Sequence, residues 1–202
     1  MSGLFPDDIP LSVVEFGTSS LTFVSESHSG VRNVSSGNVQ RWVMRVETAI
    51  LKESQWRRLL AFIVNQDGQY ETFTIIPRAL RKPLSSLPSG LSPLVKGASQ
   101  TGTNVLTDGW PASTLIYKAG DLVKFANHNK AYMLTADVTS DGSGNATLPI
   151  KPALLTSPAD NSAITYQNVP ITVAFTDDMQ GIQMQAKKLG TFSGSLREVI
   201  NL

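Results

Sequence analysis

Apolar and polar residues alternate along residues 40–50, and a period of two marks a β-strand with one buried side. The face predicted to be buried carries Trp42, Met44, Val46 and Thr48, and the other face carries Val43, Arg45 and Glu47. Shorter runs at 13–16 and 21–25 predict two further strands around Gly17. The first 50 residues are therefore predicted to be mainly β.

The pattern changes to a helical period in KESQWRRLLAFIVNQDG, residues 52–68. The apolar residues Trp56, Leu59, Leu60 and Ile63 recur at i, i+3, i+4 and i+7, with Arg57 and Arg58 pointing away. This stripe predicts a helix over about residues 53–65, laid against a sheet as core packing, with Ser54 as its N-cap. Asp67-Gly68 then predicts a turn before a strand at 70–76.

A second region of quickly alternating strands and turns follows a stretch rich in Pro, Ser and Gly. We interpret residues 83–91 as a linker and residues 92–157 as one module. Its predicted strands are 104–107, 122–125, 131–138 and 146–150. Four or five short strands with tight turns predict a small closed barrel such as an OB-fold.

The C-terminal segment, residues 161–202, is short for a domain that lacks disulfides and metals. We therefore predict that it folds with residues 1–82 as one β-rich domain that also contains the helix. The barrel would be an insertion between the two parts. The predicted fold class is mainly β with a minor helix.

Composition excludes several functions for this chain of 202 residues. The formal net charge of +1 shows no footprint of nucleic-acid binding. The absence of cysteine removes disulfides, thiolate catalysis and cysteine zinc sites. The start MSGLFPDDIP lacks the features of a signal peptide, and no apolar run approaches the length of a membrane span. We expect a soluble protein made in the cytoplasm.

Motifs for catalysis, cofactors and metals are incomplete. GASQTGTN, residues 97–104, has the glycine spacing of a phosphate-binding loop but lacks the required lysine. DVTSDGSGN, residues 137–145, begins like a calcium loop, but its twelfth position falls on a leucine and not on glutamate. Neither His28 nor His128 lies in a catalytic motif. We predict no cofactor, no metal site and no enzymatic activity.

The barrel still offers residues that suit ligand binding. The aromatic residues Trp110, Tyr117, Phe125 and Tyr132 would form a stacking platform if they shared one face. Trp110 and His128, the latter in the polar turn ANHNK, are the candidate exposed contacts of the barrel. A carbohydrate or an oligonucleotide is the ligand class that such a surface would take.

Several motifs in order resemble the distal tail proteins of long-tailed, non-contractile bacteriophages, the siphophages. They are the helix region WRRLLAFIVNQDGQYETF, then a Gln-Thr-Gly start, DGWP, KAGDLVKF, AYMLTADVTSDGSGNATLPIKPAL and a closing SGSLRE. KAGDLVKF, followed by a polar turn and AYMLT, is the most specific of these. The resemblance covers about residues 40–198 and weakens over the first 35 residues.

The resemblance implies an architecture and a place in the virion. It implies a ring-forming β-sandwich domain, made of the N- and C-terminal segments, with an inserted OB-fold. Hexameric rings in the tail tip, or baseplate, join the tail tube protein to the hub and central fibre used in host attachment. Receptor-binding proteins are further expected partners, and DNA passes through the bore without specific binding. The family has no catalytic residues to transfer.

Other functions stay open from the sequence alone. A tail-tube or tail-terminator subunit is a related structural alternative, although the inserted barrel argues against a plain tube subunit. A carbohydrate- or oligonucleotide-binding module that uses the barrel face is an alternative of another class. A hydrolase of the host cell wall is the enzymatic alternative.

Overall fold

Antiparallel strand pairing organises most of the chain, as seen in a computed structural model. The structure describes residues 3–200, apart from the side chains of Val13 and Asn38. That range contains fourteen strands and one α-helix, so the predicted mainly β fold with a minor helix is confirmed. The contacts divide the chain into unit 1, residues 1–75 with 172–199, and unit 2, residues 76–171 with 200–202. The predicted domain limits also took in residues 1–2 and 201–202, which lie outside the described residues.

Unit 1 is built on one sheet with a long hairpin at its edge. Its strands are β1 (Leu11–Glu26), β2 (Arg32–Thr48), β3 (Phe73–Ile75), β12 (Ile171–Phe175), β13 (Ile182–Gln185) and β14 (Leu189–Glu198). The strand order is β1-β2-β14-β12-β3, and β13 pairs with β14. The pairing of β2 with β14 joins segments from the two halves of the chain.

The alternation in β2 matches the predicted strand. The four residues Trp42, Met44, Val46 and Thr48 are all buried, whereas Arg45 on the other face is exposed. One residue past the part of β14 that pairs with β2, the buried carboxylate of Glu198 accepts a hydrogen bond from the backbone N–H of Trp42 at 3.0 Å. Burial of a carboxylate is tolerated only when such donors satisfy it.

The helix α1 (Glu53–Val64) falls within the predicted range, but it begins differently. Lys52, and not Ser54, is the residue that precedes the first turn, and its backbone N–H donates to the side-chain Oε1 of Gln55 at 3.1 Å. The prediction of Ser54 as N-cap was therefore wrong, because Ser54 already lies inside the first turn. No helix among residues 3–200 has the length and hydropathy needed to cross a bilayer.

Only part of the predicted apolar stripe of α1 enters the core. Leu59 and Ile63 are buried, whereas Trp56 and Leu60 are only partly buried. On the core side, Phe62 meets Phe73 edge to face, with ring centroids 5.1 Å apart. The helix thus packs on the sheet through a narrower face than the stripe predicted.

Unit 2 is a barrel with its own hydrophobic core. Its strands are β4 (Leu94–Val95), β5 (Asn104–Asp108), β6 (Leu115–Tyr117), β7 (Leu122–Phe125), β8 (Ala131–Leu134), β9 (Val138–Thr139), β10 (Ala146–Lys151) and β11 (Ile164–Thr165). The order β11-β7-β8-β10-β5-β4 brings two edges together, since Leu94 bridges Ala163 and the N–H of Ile164 donates to Pro93 O at 3.0 Å. These bonds nearly close the sheet into a barrel.

The strand predictions for the barrel agree with the structure except in one place. The predicted strand 131–138 is interrupted between β8 and β9, where residues 135–137 are exposed. The Asp137 carboxylate accepts a hydrogen bond from the backbone of Ala119 at 2.9 Å, which holds the chain in a bend. Leu87, in the predicted linker, is buried in the barrel core.

Candidate functional site

The outer part of the β1–β2 hairpin, residues 20–40, is exposed along nearly its whole length, and we call it the arm. The strands pair along almost their whole length, but the register shifts where Leu21 stands opposite residues 37–39. Gly37 leaves room there, because a Cβ on it would lie 2.9 Å from the side chain of Leu21 and would force that side chain to shift. An irregularity of this kind bends a ribbon and increases its twist, and it marks the base of the arm.

The arm exposes apolar side chains on both of its faces. Val24 pairs directly with Val34, so these two share the first face, and they are 54% and 55% exposed. Leu21 and Phe23 lie on the second face, where Phe23 is 60% exposed. An isolated two-stranded ribbon is marginally stable, and one with large apolar side chains on both sides is typical of a contact surface.

The tip of the arm is a closed turn. The N–H of Ser27 donates to Val31 O at 2.9 Å, and the N–H of Gly30 donates to Ser27 O at 2.9 Å. Gly30 adopts a φ of 77°, a conformation that a side chain disfavours. His28 is exposed in this turn, as its polar neighbours predicted.

Unit 1 carries a second apolar surface, which we call the groove, between α1 and β13. One ridge of the helix, formed by Trp56, Leu60 and Val64, lines it together with Met184 of β13, and its volume is about 810 Å³. Val64 and Met184 are 66% and 64% exposed. Of the four residues of the predicted apolar stripe, Leu59 and Ile63 are thus in the core, whereas Trp56 and Leu60 line the groove.

Charged groups surround the N-terminal end of the groove. Lys188 contacts Glu53 at 3.1 Å and Arg57 contacts it at 2.7 Å. The hydrogen bond from Lys188 and the charges of Lys188 and Arg57 lower the pKa of Glu53. The indole N–H of Trp56 donates to Lys188 O at 3.1 Å, which anchors the ring at the rim.

His128 is buried, with 7% of its surface exposed, so the expectation of an exposed contact in the turn 126–130 was wrong. Its Nδ1 lies 2.9 Å from the Tyr132 hydroxyl. Asn127 ties the turn to the opposite segment, since its amide donates to Ser157 O and its Oδ1 accepts from Ser162. These bonds hold the turn against the barrel, and they join residues that are about 30 positions apart.

Burial lowers the pKa of His128, and the backbone of Ser157 offsets part of this effect. The Nε2 atom is buried and has no hydrogen bond of ordinary geometry within residues 3–200. The neutral imidazole is therefore the form that the folded barrel favours. A group that prefers to stay neutral and enclosed offers no contact to a ligand outside.

Trp110, the other predicted barrel contact, is only 5% exposed, so its expected exposure was also wrong. Its indole N–H donates to the Thr107 hydroxyl at 2.8 Å, and its ring meets those of Tyr117 and Tyr166 edge to face. Tyr117, Phe125 and Tyr132 are fully buried. The four aromatic residues form core and not a stacking platform, because a barrel this small needs them to fill its interior.

Tyr117 lies fully inside that interior. Its hydroxyl has no hydrogen-bond partner among the described residues, and burial raises its pKa well above the ordinary value. The charge of Asp121 adds to this rise. The phenol therefore stays protonated inside the barrel and is not available as a base.

The two incomplete motifs serve turns. The backbone N–H of Gly97 donates to Asp160 Oδ1 at 2.7 Å, so a carboxylate of this chain occupies the position that a phosphate would need. Asp141 accepts from the backbone of Ser143 and from both the side chain and the backbone of Asn145. These bonds, first the one from the Asn145 side chain, lower the pKa of Asp141. Both segments are stabilised by hydrogen bonds within the chain.

The arm is the functional candidate that the sequence did not reveal. Short strands were predicted at 13–16 and 21–25, but not one continuous ribbon of residues 11–48. The available signal was weak: apolar residues such as Phe23 and Val34 recur among many serines and a Ser-Gly turn. Because neither face of the arm is buried, its sequence lacks a one-sided alternation.

The fold and its accessible surfaces define a class, a mainly β structural protein whose large apolar surfaces are an extended ribbon and a groove. Residues 91–169, which span most of the barrel, match the family described as distal tail protein pb9, B domain. The resemblance to phage distal tail proteins is thereby confirmed, and the chain has a structural role in a phage tail. No curated protein gives a significant match.

Proposed function

We propose that this chain is a ring-forming subunit of the phage tail tip, and the exposed arm is the observation that carries the proposal. Copies would close into a hexameric ring that joins the tail tube to the hub and central fibre used in host attachment. The ring would assemble in the host cytoplasm, with unit 1 as the ring-forming domain and the barrel of unit 2 as the insertion. The hexamer and these partners come from the family resemblance.

The exposed side chains of the arm provide a driving force for association. Burial of apolar surface contributes roughly 25 cal/mol for each Å² removed from water. Phe23, Val24 and Val34 are each more than half exposed, and they lie on two faces of one narrow ribbon. A neighbouring subunit that covers either face would remove this surface from water.

The backbone of the arm offers a second means of association. β1 lies at the edge of its sheet, and β14 pairs with β2 only over residues 43–47. Exposed strand edges present unpaired N–H and C=O groups that pair readily with another chain. A ribbon that extends from the subunit and contacts a different surface on the next copy makes a head-to-tail interface, which closes into a ring when the rotation fits.

The charge of the chain is compatible with a bore through which DNA passes. A net charge of +1 leaves no strong attraction for phosphate, and a strongly basic bore would retain DNA instead of letting it through. A tail-tube or tail-terminator ring would have the same property. The match of residues 91–169 to a distal tail protein domain supports the tail-tip assignment over these two alternatives.

The experiment compares arm variants with a control on the barrel. Phe23→Glu and Val24→Glu each place a charge on one face of the arm, and Leu106→Glu places the same charge at an exposed leucine of β5. Light scattering and negative-stain images should show six-fold rings for the unmodified protein and for Leu106→Glu at high concentration. At least one arm variant should need about tenfold more protein to assemble, which corresponds to about 1.4 kcal/mol.

Circular dichroism and urea unfolding of the monomers provide the fold control. Because the arm residues make few contacts within the subunit, both arm variants should unfold at the same urea concentration as the unmodified chain. A protein that stays monomeric at every concentration would overturn the ring proposal. Rings formed equally well by both arm variants would exclude the arm as the contact.

A further inference from the structure

We propose that the groove between α1 and β13 is the surface that receives the arm of a second copy of this chain. This inference rests on the proposed ring and names the two surfaces that meet in it. The groove and the arm both belong to unit 1, so each subunit carries one of each. A projection and a receiving surface on the same chain make the head-to-tail contact that ring closure requires.

The groove is an apolar surface that stays open to solvent at Val64 and Met184. Leu59 and Ile63 are buried in the core, whereas the ridge of Trp56, Leu60 and Val64 lines the groove, with Trp56 and Leu60 partly buried and Val64 66% exposed. Helix residues spaced by four form one continuous ridge along the axis. A helix that is apolar on two sides is expected to bury the second side against another body.

The dimensions of the two surfaces agree. From Trp56 to Val64 the ridge spans eight residues, which is about 12 Å at the rise of an α-helix. The first face of the arm runs from Thr22 to Glu26, which is about 13 Å at the rise of a β-strand. Leu60, at the centre of the ridge, has Trp56 and Val64 on either side of it along the helix. Val24, at the centre of the first face of the arm, has Val34 directly across the ribbon.

The charges beside the two apolar surfaces are also compatible. On the arm, Glu26 pairs with Arg32 across the ribbon, next to Val24 and Val34. At the groove, Arg57 and Asp67 line the same cavity as the apolar ridge. Each surface therefore combines an apolar centre with one acid and one base, and one of the two antiparallel orientations of docking places opposite charges together.

The first face of the arm fits this groove better than the second. The second face has Ser35 and Asn33 opposite Phe23 and Ser25, and it has no charged pair beside its apolar residues. It is left free to contact another part of the assembly. The prediction is consequently specific to one face, and adjacent residues of β1 should behave differently.

Cysteine pairing tests the contact directly, since the chain has no cysteine of its own. Protein carrying Val24→Cys is mixed with protein carrying Leu60→Cys, and disulfide formation is followed on non-reducing gels. We expect a disulfide-linked dimer as the main product of this mixture. Phe23→Cys, one residue away on the opposite face, should give at least tenfold less heterodimer with Leu60→Cys, and Val24→Cys with Leu106→Cys should give equally little.

The double variant Val24→Cys/Leu60→Cys separates this inference from the ring itself. A ladder of linked oligomers that ends at a closed ring supports both proposals. Rings without a Val24–Leu60 disulfide would overturn the groove as the receiving surface and leave the ring proposal intact. A disulfide-linked chain that never closes would support the groove and contradict the ring, and neither rings nor disulfides would overturn both.

A groove variant distinguishes a second copy from another tail protein as the occupant. Leu60→Glu should abolish ring formation, whereas Ser54→Glu, an exposed position on the same helix, should not. Urea unfolding verifies that both variants are folded. Normal rings from a folded Leu60→Glu protein would show that the groove serves a different partner and would overturn the inference.

Discussion

At the scale of the residue, His128 joins the turn 126–130 to the barrel core. Its ring packs edge to face against Phe125, with centroids 5.6 Å apart, and its Nδ1 is hydrogen-bonded to Tyr132. Because burial lowers the pKa of His128 below its usual value of 6.5, the unfolded chain binds a proton more readily than the folded one. The stability that this residue contributes is complete above pH 6.5 and is lost as the pH falls through the folded pKa.

The pH dependence of unfolding checks this prediction. Between pH 8 and pH 5, the unmodified chain should lose more free energy of unfolding in urea than His128→Gln, which keeps a polar side chain but does not titrate. His28→Gln, in the exposed turn of the arm, should lose as much as the unmodified chain. Equal losses in His128→Gln and the unmodified chain would show that His128 is accessible to solvent in the folded state.

At the scale of the element, α1 serves the core with one side and the groove with the other. The two consecutive leucines, Leu59 and Leu60, separate these roles, since Leu59 is fully buried and Leu60 is partly buried at the groove. The apolar stripe in the sequence predicted the position of the helix. It did not show that only Leu59 and Ile63 of the stripe are buried in the core. The spacing of apolar residues reports which face avoids water, and it does not distinguish a core from an interface.

Truncation of the two leucines should therefore have different costs. Leu59→Ala is expected to lower the free energy of unfolding of the monomer by about 2–5 kcal/mol, because it leaves a cavity in the core. Leu60→Ala should cost about 1 kcal/mol or less in the monomer, since solvent already reaches that side chain. Urea unfolding at low protein concentration measures both, and equal costs would place Leu60 in the core.

At the scale of the whole molecule, each unit has the means to fold by itself. The barrel closes through bonds between β4 and the segment before β11, and sixteen buried side chains form its core. Unit 1 is held by the pairing of β2 with β14. In the sequence, unit 2 lies between the two parts of unit 1, as an inserted domain does. A self-contained barrel can be inserted or removed without disrupting the sheet of unit 1.

A fragment of residues 76–171 should consequently fold alone. Its core and nearly closed sheet predict β-type circular dichroism and a single cooperative thermal transition. Without the arm, it should stay monomeric at concentrations where the full chain forms rings. A second fragment tests unit 1 by itself: residues 1–75 are joined to residues 172–199 through a short Gly-Ser linker. This fragment keeps the arm and should retain ring formation. Rings from the barrel fragment would move the assembly surface to unit 2.

The sequence alone determined the elements whose periodicity is local. The alternation at residues 42–48, the position of α1 and most barrel strands follow from neighbouring residues, because burial on one side leaves a regular spacing of apolar positions. The motifs of the central segment also indicated the resemblance to phage distal tail proteins, and the match of residues 91–169 agrees with it.

Only the tertiary structure decided which of these apolar and polar residues are enclosed. His128 and Trp110 were predicted at the surface, but hydrogen bonds and ring contacts with distant segments bury them. The arm likewise could be recognised only in the folded subunit, where β14 pairs with residues 43–47 of β2 and leaves the outer hairpin without a neighbouring strand on that side. The groove also depends on the fold, because it lies between α1 and β13. Contacts between residues far apart in the chain leave no periodic signal, and for that reason the surfaces proposed to assemble the ring were beyond the reach of the sequence.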